Sequence, residues 1–392
     1  MPLDAAFVSA VALLGRPLLI FAVLLAVVLP VGALLVWGRV RGPLGVRVAQ
    51  RLSLIASAQA LAVVAMFLGV NDNFEFYTSW QDLLGSPPPP ATITTASAAV
   101  PFVEPGGRRG LVQAARSERT DDGGQLLTLT VHGAASDITA PVLVHLPAGY
   151  DASKRRYPVV ELLTAWRGTP AVWTRRFHIV DEMLAAERRG TLGPVILVIP
   201  TLNVALPRDV ECTDVPHGPR ALTWLTTDVH ALVMSTYRAL PARQSWGVMG
   251  LSTGGYCAVK MLLARPSLYA SAVALAGYFE AIRDSTTGDL WGGSRAFRDL
   301  NSPYWLVTHR PVPRSDLLAF ASRQDATSYP SLQRFLQVAH APLQVSTLIA
   351  PRGGHNLTSI AVDLPEVLDW IGARLTPGRS SLPGAALALR PQ

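Results

Sequence analysis

Gly250-Leu251-Ser252-Thr253-Gly254 sets a serine between two glycines, each two residues away, inside the longer stretch Trp246 to Tyr256. This G-x-S-x-G spacing reads as a nucleophile elbow. The serine stands on a sharp strand-to-helix turn with its hydroxyl exposed, and the glycines let two backbones approach where a side chain would clash. Val248 and Met249 supply an apolar strand before the turn. Tyr256, Ala258, Val259, Met261, Leu262 and Leu263 supply an apolar helix after it. A serine hydroxyl is a weak nucleophile near neutral pH, so the chemistry requires a base, usually histidine, oriented by a carboxylate.

Downstream of Ser252 the histidines are His309, His340 and His355. His340 falls at the end of a helix read over 331–339, and His309 lies in a polar loop. His355 follows the last strand in Pro351-Arg352-Gly353-Gly354-His355-Asn356, a loop able to present an imidazole at the strand's C-terminal edge. It is therefore the expected base. For the acid, Asp325 follows the strand 316–322 at the edge where catalytic loops gather in an open α/β sheet. Asp316 would stand at the opposite edge, and Asp284, Asp289 and Asp299 read as caps or solvated charges. The oxyanion hole needs two backbone N–H groups. Thr253, the residue after the nucleophile, is one expected donor. The other comes from Thr164-Ala165-Trp166-Arg167-Gly168 after strand 157–163, with Trp166 preferred to Arg167.

Around these residues, strands at 125–131, 140–146, 157–163, 193–200, 245–249, 271–276, 316–322 and 344–349 alternate from the third onward with helices at 177–188, 222–237, 256–264 and 360–375. Such alternation predicts an α/β fold with a mostly parallel central sheet and helices on both faces. The run Pro158 to Leu163 is largely apolar, as a strand covered on both faces must be. The loop Arg208 to Pro216 lies at the same sheet edge, so Asp214 or Asp209 is a candidate to bind a substrate hydroxyl, as Arg167 is from its own loop. Asp209, Glu211 and Asp214 lack calcium-loop spacing. Cys212 and Cys257 are expected at one edge of the sheet, where a disulfide is possible in an exported domain; two unpaired core thiols are the alternative.

The 392 residues are 49% hydrophobic and only 16% charged, with a mean hydropathy of +0.29. That is too apolar for an ordinary soluble enzyme and points to membrane segments. Residues 17–37 carry no charge and reach the length needed to cross a bilayer, and 52–71 is a second such run. The loop between them, Gly38 to Arg51, holds Arg39, Arg41, Arg47 and Arg51. The positive-inside rule makes it cytoplasmic and puts the large C-terminal part outside. Leu3 to Leu14 either extends the first span, lies in the interface or adds a third span. The aromatics of Asn73 to Trp80 suit the headgroup region. Residues 1–84 thus read as a membrane anchor, 85–107, with its four prolines 87–90, as a semi-extended linker, 108–376 as the α/β domain, and 377–392 as a tail. The net charge of +7 comes mostly from arginine, with Lys154 and Lys260 the only lysines. No basic block is interleaved with aromatics, so no nucleic-acid partner is expected.

From about residue 108 to 376 the chain resembles the putative-esterase family of α/β-hydrolases, which includes esterase-D-like enzymes and mycolyltransferases. Gly250 to Gly255, the position of Asp325, Gly354-His355 and the loop 162–173 carry the resemblance. It implies a Ser–Asp/Glu–His triad, no cofactor or metal, and an acyl-ester, lipid or glycolipid substrate at the cell envelope. Thr164-Ala165-Trp166-Arg167 replaces the Asp-Gly-Leu-Arg type sequence of mycolyltransferases, and Asp325 replaces their glutamate. Hydrolysis and acyl transfer to a sugar or envelope acceptor both remain open, as does a non-catalytic module, and nothing in the sequence sets the oligomeric state.

Overall fold

A computed structural model describes residues 16–74, 112–120, 123–312, 314–323, 325–351, 355 and 357–376. These fall into two compact units, one within Met1–Thr94 and one within Thr95–Gln392. The expected segment Leu3 to Leu14, the linker 85–107, the tail 377–392 and most of the aromatic run 73–80 lie outside the described residues.

The first unit is a pair of helices, α1 (Arg16–Trp37) and α2 (Leu44–Phe74). Both are long and apolar enough to cross a membrane, over Pro17–Trp37 and Leu44–Asn71. Ala22 and Leu68 pack together between them, while Phe21, Leu24, Val27, Val63 and Met66 are exposed. The second helix starts earlier than the apolar run suggests. Arg47 and Arg51 therefore lie on α2, and the connection shrinks to Gly38–Pro43. Arg51 folds back, its guanidinium 4.8 Å above the Trp37 ring.

In the second unit nine strands form one sheet in the order β1-β2-β3-β5-β4-β6-β7-β8-β9. They are β1 (Val112–Arg119), β2 (Gln125–His132), β3 (Thr139–Leu146), β4 (Val159–Leu163), β5 (Ile196–Pro200), β6 (Trp246–Leu251), β7 (Ser271–Leu275), β8 (Ser315–Ser322) and β9 (Leu343–Ala350). The first three pair antiparallel, and β3 meets β5 antiparallel. From β5 to β9 every pairing is parallel. Every residue of β4, β5, β6 and β7 is buried, because helices cover both faces and separate the core into two layers. This is the mostly parallel α/β sheet that the alternating pattern predicts, and it fits the fold that the resemblance implies. Strand β1 escapes a reading by periodicity. Its sequence VQAARSER has no apolar alternation, and residues 115–119 are exposed at the sheet's edge.

The helices are α3 (Ala171–Arg175), α4 (Ile179–Arg189), α5 (His230–Thr236), α6 (Thr253–Ala264), α7 (Arg295–Asp299), α8 (Pro303–His309), α9 (Ser328–Leu336), α10 (Leu357–Ala361) and α11 (Leu364–Gly372). Helix α4 is locally encoded at both ends. Asp181 and Glu182 oppose the dipole in its first turn, Arg188 and Arg189 in its last, and Gly190 closes it at φ 75°. Two segments differ from their expected form. The helix expected over 222–237 is Ala221–Thr223, a π-helical turn Trp224–Val229 and then α5. Within that turn Asp228 accepts hydrogen bonds from the Ala135 and Ser136 N–H groups, pinning it to the β2–β3 connection. The closing helix expected over 360–375 is broken into α10 and α11, because Pro365 fits a first turn and not an interior.

Glu161 on β4 is fully buried and accepts a 2.7 Å hydrogen bond from the Tyr269 hydroxyl. Burial pushes its carboxyl up from 4.5 to about 8. A carboxyl raised in the folded state binds its proton more tightly there than in the unfolded chain, so stability falls as pH rises between those two values. Glu161→Gln keeps an acceptor for Tyr269 and removes the ionisation. Melting temperatures measured from pH 5 to 8.5 are expected to decline less steeply in the variant; parallel curves would show that Glu161 does not titrate across this range.

Candidate active site

The parallel strands end together, with Leu163 of β4 opposite Gly250 of β6 and Leu251 opposite Leu275 of β7. The loops leaving this edge carry the candidate residues. Ser252 sits in the turn between β6 and α6 at φ 51°, ψ −114°, a strained conformation for a non-glycine residue. Its N–H donates to the Leu275 carbonyl (2.8 Å) and its carbonyl accepts from the Tyr256 N–H (3.0 Å), so both neighbours hold it there. The two motif glycines are dictated by contact. A Cβ on Gly250 would stand 2.0 Å from the Gly254 carbonyl oxygen, and one on Gly254 would stand 2.5 Å from that of Thr164. The first turn of α6 is thereby pressed against the loop after β4. Gly254→Ala is expected to cost about 3 kcal/mol by overpacking backbone, read as a clear drop in melting temperature; an unchanged melting temperature would show that this approach can relax.

His355 Nε2 lies 2.8 Å from Ser252 Oγ, and His355 Nδ1 lies 2.7 Å from Asp325 Oδ2. Asp325, 3% exposed, follows β8 at the expected edge. Its Oδ1 accepts from the Thr327 and Ser328 N–H groups and its Oδ2 from the Ser328 hydroxyl. Burial alone would raise this carboxyl, but the hydrogen bonds from His355 and Ser328 outweigh it and hold the group far below the usual carboxylate range. The structure thus brings Ser252, His355 and Asp325 into one hydrogen-bonded line. His309 instead stacks on Trp305 at 4.6 Å, and His340 is exposed after α9. Asp316 pairs with Arg374 at 3.6 Å from the start of β8. Asp284 caps Thr286 and Thr287.

In the loop after β4, the Arg167 N–H donates to Asn203 Oδ1 at 3.2 Å, which removes Arg167 as an oxyanion donor. Asn203 Nδ2 in turn donates to the carbonyls of Ala165 (3.0 Å) and Gly168 (2.7 Å). One side chain therefore shapes the whole turn and leaves Trp166 at its tip. The exposed Arg167 guanidinium stacks 4.3 Å above the Trp166 ring. On the other side, Thr253 is the first residue of α6, so its N–H has no acceptor within the helix. Asp214 is committed elsewhere: its two oxygens accept from the Thr223 N–H and hydroxyl, both at 2.8 Å, and it holds its own loop. Cys212 and Cys257 form a disulfide that ties this loop to α6. Among the described residues, no group of three or more His, Cys, Asp or Glu side chains is arranged to hold a metal ion.

Residues 135–328 match the family described as "Putative esterase". Over this stretch the chain is similar to that family. The matched stretch holds Ser252 and Asp325, while His355 lies beyond it. An uncharacterized protein of Corynebacterium glutamicum is 24% identical over 239 residues, covering 58% of this chain and 55% of that one. The chain thus spans about half the length of this curated relative. Among solved structures, a ferulic acid esterase superposes with a TM-score of 0.55 at 21% identity, over 64% of this chain and 99% of that one. An S-formylglutathione hydrolase from Agrobacterium tumefaciens superposes with a TM-score of 0.57 at 17% identity, over 68% and 100%. At these identities the likeness is one of fold.

Asn203 has no signal in the sequence, and Asp209, a candidate there to bind a substrate hydroxyl, is instead committed, like Glu211, to a partner within the fold. Both carboxylates are buried. Asp209 Oδ2 accepts from the Thr253 hydroxyl at 3.1 Å, and Glu211 accepts from the Tyr278 hydroxyl at 2.5 Å. No local signal could have found these pairs, because the partners lie 44 and 67 residues apart.

Proposed function

We propose that this protein is a membrane-tethered serine esterase whose nucleophile is Ser252. The observation that carries the reading is the line Asp325–His355–Ser252, with contacts of 2.7 and 2.8 Å. With its Nδ1–H donated to Asp325, His355 presents Nε2 as acceptor to the serine hydroxyl. As Ser252 Oγ bonds to the acyl carbon of an ester, its proton passes to His355 Nε2, and Asp325 stabilises the resulting imidazolium. The carbonyl oxygen becomes an oxyanion and is met by the N–H groups of Thr253 and Trp166. Collapse breaks the bond to the leaving alcohol, which takes the proton from His355 and leaves an acyl-enzyme. Water, deprotonated by His355, then attacks the acyl carbon, releases the acid and returns the proton to Ser252. A sugar or envelope hydroxyl resolving the same intermediate would make the reaction a transfer.

In this reading α1 and α2 cross the membrane and anchor the catalytic domain. The arginines of Gly38 to Arg51 favour a cytoplasmic connection, which puts the domain outside, and the Cys212–Cys257 disulfide suits an oxidising compartment. The substrate is then an acyl ester of the envelope. A fluorophosphonate probe applied to membranes holding the full chain is expected to label the protein; absence of labelling would overturn the serine reading. A maleimide that reaches a cysteine placed in the Gly38–Pro43 connection from outside intact cells would overturn the orientation.

A further inference from the structure

The segment 209–213 runs along one face of α6 and grips it at three points. Thr253, Cys257 and Lys260 stand at i, i+4 and i+7, the spacing of a single helical face. The Thr253 hydroxyl donates to Asp209 Oδ2 at 3.1 Å, and Cys257 is bonded to Cys212. Lys260 Nζ, fully buried, donates to the carbonyls of Glu211 (3.1 Å) and Cys212 (3.0 Å) and to Thr213 Oγ1 (3.0 Å). The two lower grips join the strap to the helix body. The uppermost grip reaches the residue next to the nucleophile.

We propose that Asp209 is a positioning residue for the oxyanion hole, acting through the hydroxyl of Thr253. The proposal rests on the serine-esterase reading, in which the Thr253 N–H meets the oxyanion. Thr253 is 4% exposed, and its side chain is anchored to a carboxylate that is itself 6% exposed. That carboxylate does not simply follow Thr253. Its Oδ1 accepts from the Glu211 N–H at 2.9 Å, and the Asp209 N–H donates to the Thr286 carbonyl at 3.1 Å. The acceptor is thus also tied to the loop at Thr286, outside the helix it holds, as a preorganised hole requires. Burying a carboxylate here is costly, and desolvation raises it from 3.8 to about 6. A donor that drifts from its aimed position loses strength where the oxyanion forms, and the loss falls on kcat.

The test uses the full chain in detergent with 4-nitrophenyl acetate. Asp209→Ala and Thr253→Val are each expected to lower kcat about tenfold with KM within about twofold, a fraction of the 10²–10³ lost when an oxyanion donor is deleted outright. The double variant should lose no more than either single one, because both remove the same hydrogen bond. Asp209→Asn, which keeps an acceptor oxygen, should recover most of the kcat lost by Asp209→Ala. Wild-type kcat in both single variants, or losses that multiply in the double variant, would overturn the proposal. So would a fall in KM-level affinity and melting temperature that accounts for the lost activity, since that is what a packing role predicts. If Asp209→Ala does not fold, Thr253→Val alone decides, a tenfold fall in kcat supporting the anchor and wild-type kcat overturning it. Activity surviving in Ser252→Ala would sink the serine reading. An inactive Ser252→Ala beside fully active Asp209→Ala and Thr253→Val would sink only the anchor.

Discussion

Ser252→Ala is expected to lower kcat for a nitrophenyl ester by about 10⁶-fold and to abolish fluorophosphonate labelling. The size follows from what the serine does. In the proposed mechanism its Oγ bonds to the acyl carbon, so without it only substrate binding and the two N–H groups assigned to the oxyanion hole remain. The fold should survive the change, because the Ser252 backbone, and not its hydroxyl, makes the contacts to Leu275 and Tyr256. Circular dichroism matching the wild type, with hydrolysis near the uncatalysed rate, is the predicted pair of results. Hydrolysis within tenfold of wild type would place the nucleophile elsewhere.

Asp325→Asn is expected to lower kcat by about 10⁴-fold while leaving labelling detectable at long times. The carboxylate accepts four hydrogen bonds, from the Thr327 N–H, the Ser328 N–H and hydroxyl, and His355. An amide has one acceptor oxygen. If that oxygen serves the two backbone N–H groups, the NH₂ faces His355 Nδ1 and forces the ring into the tautomer that cannot accept from Ser252. The imidazolium formed during attack also loses its counter-charge. Because the carboxyl is held far below the usual range in the folded protein, its ionisation stabilises the fold at any pH above the ordinary carboxylate value. That contribution is lost only as pH falls through the depressed value. A pH–rate profile measured above pH 4 should therefore show a single protonation step on its acid side. A second step there that is absent from Asp325→Asn would show that Asp325 titrates in the working range.

The candidate nucleophile loop was legible because its requirements are local. Glycine at 250 and 254 is demanded by backbone contacts within one turn, and the apolar runs on either side report burial residue by residue. The chain order of Ser252, Asp325 and His355 was legible for a related reason. In a parallel sheet the residue after each strand must emerge at one edge, so strand ends alone bring distant positions near one another. Edge strand β1 and the π turn at Trp224–Val229 were not legible, since the first is solvated on both faces and the second depends on Asp228 reaching a connection more than 90 residues away.

The amino-acid sequence by itself determined the strand–helix alternation, the two apolar helices, the elbow and the candidate triad, because apolar period and turn chemistry act over a few residues. Only the tertiary structure decided which groups hold those candidates in place. Asn203 shapes the turn around Trp166, Asp214 turns inward to Thr223, and Asp209 reaches the first residue of α6. A polar side chain reveals its role by the partner that satisfies it on burial, and that partner is chosen by the packing of segments far apart in the chain.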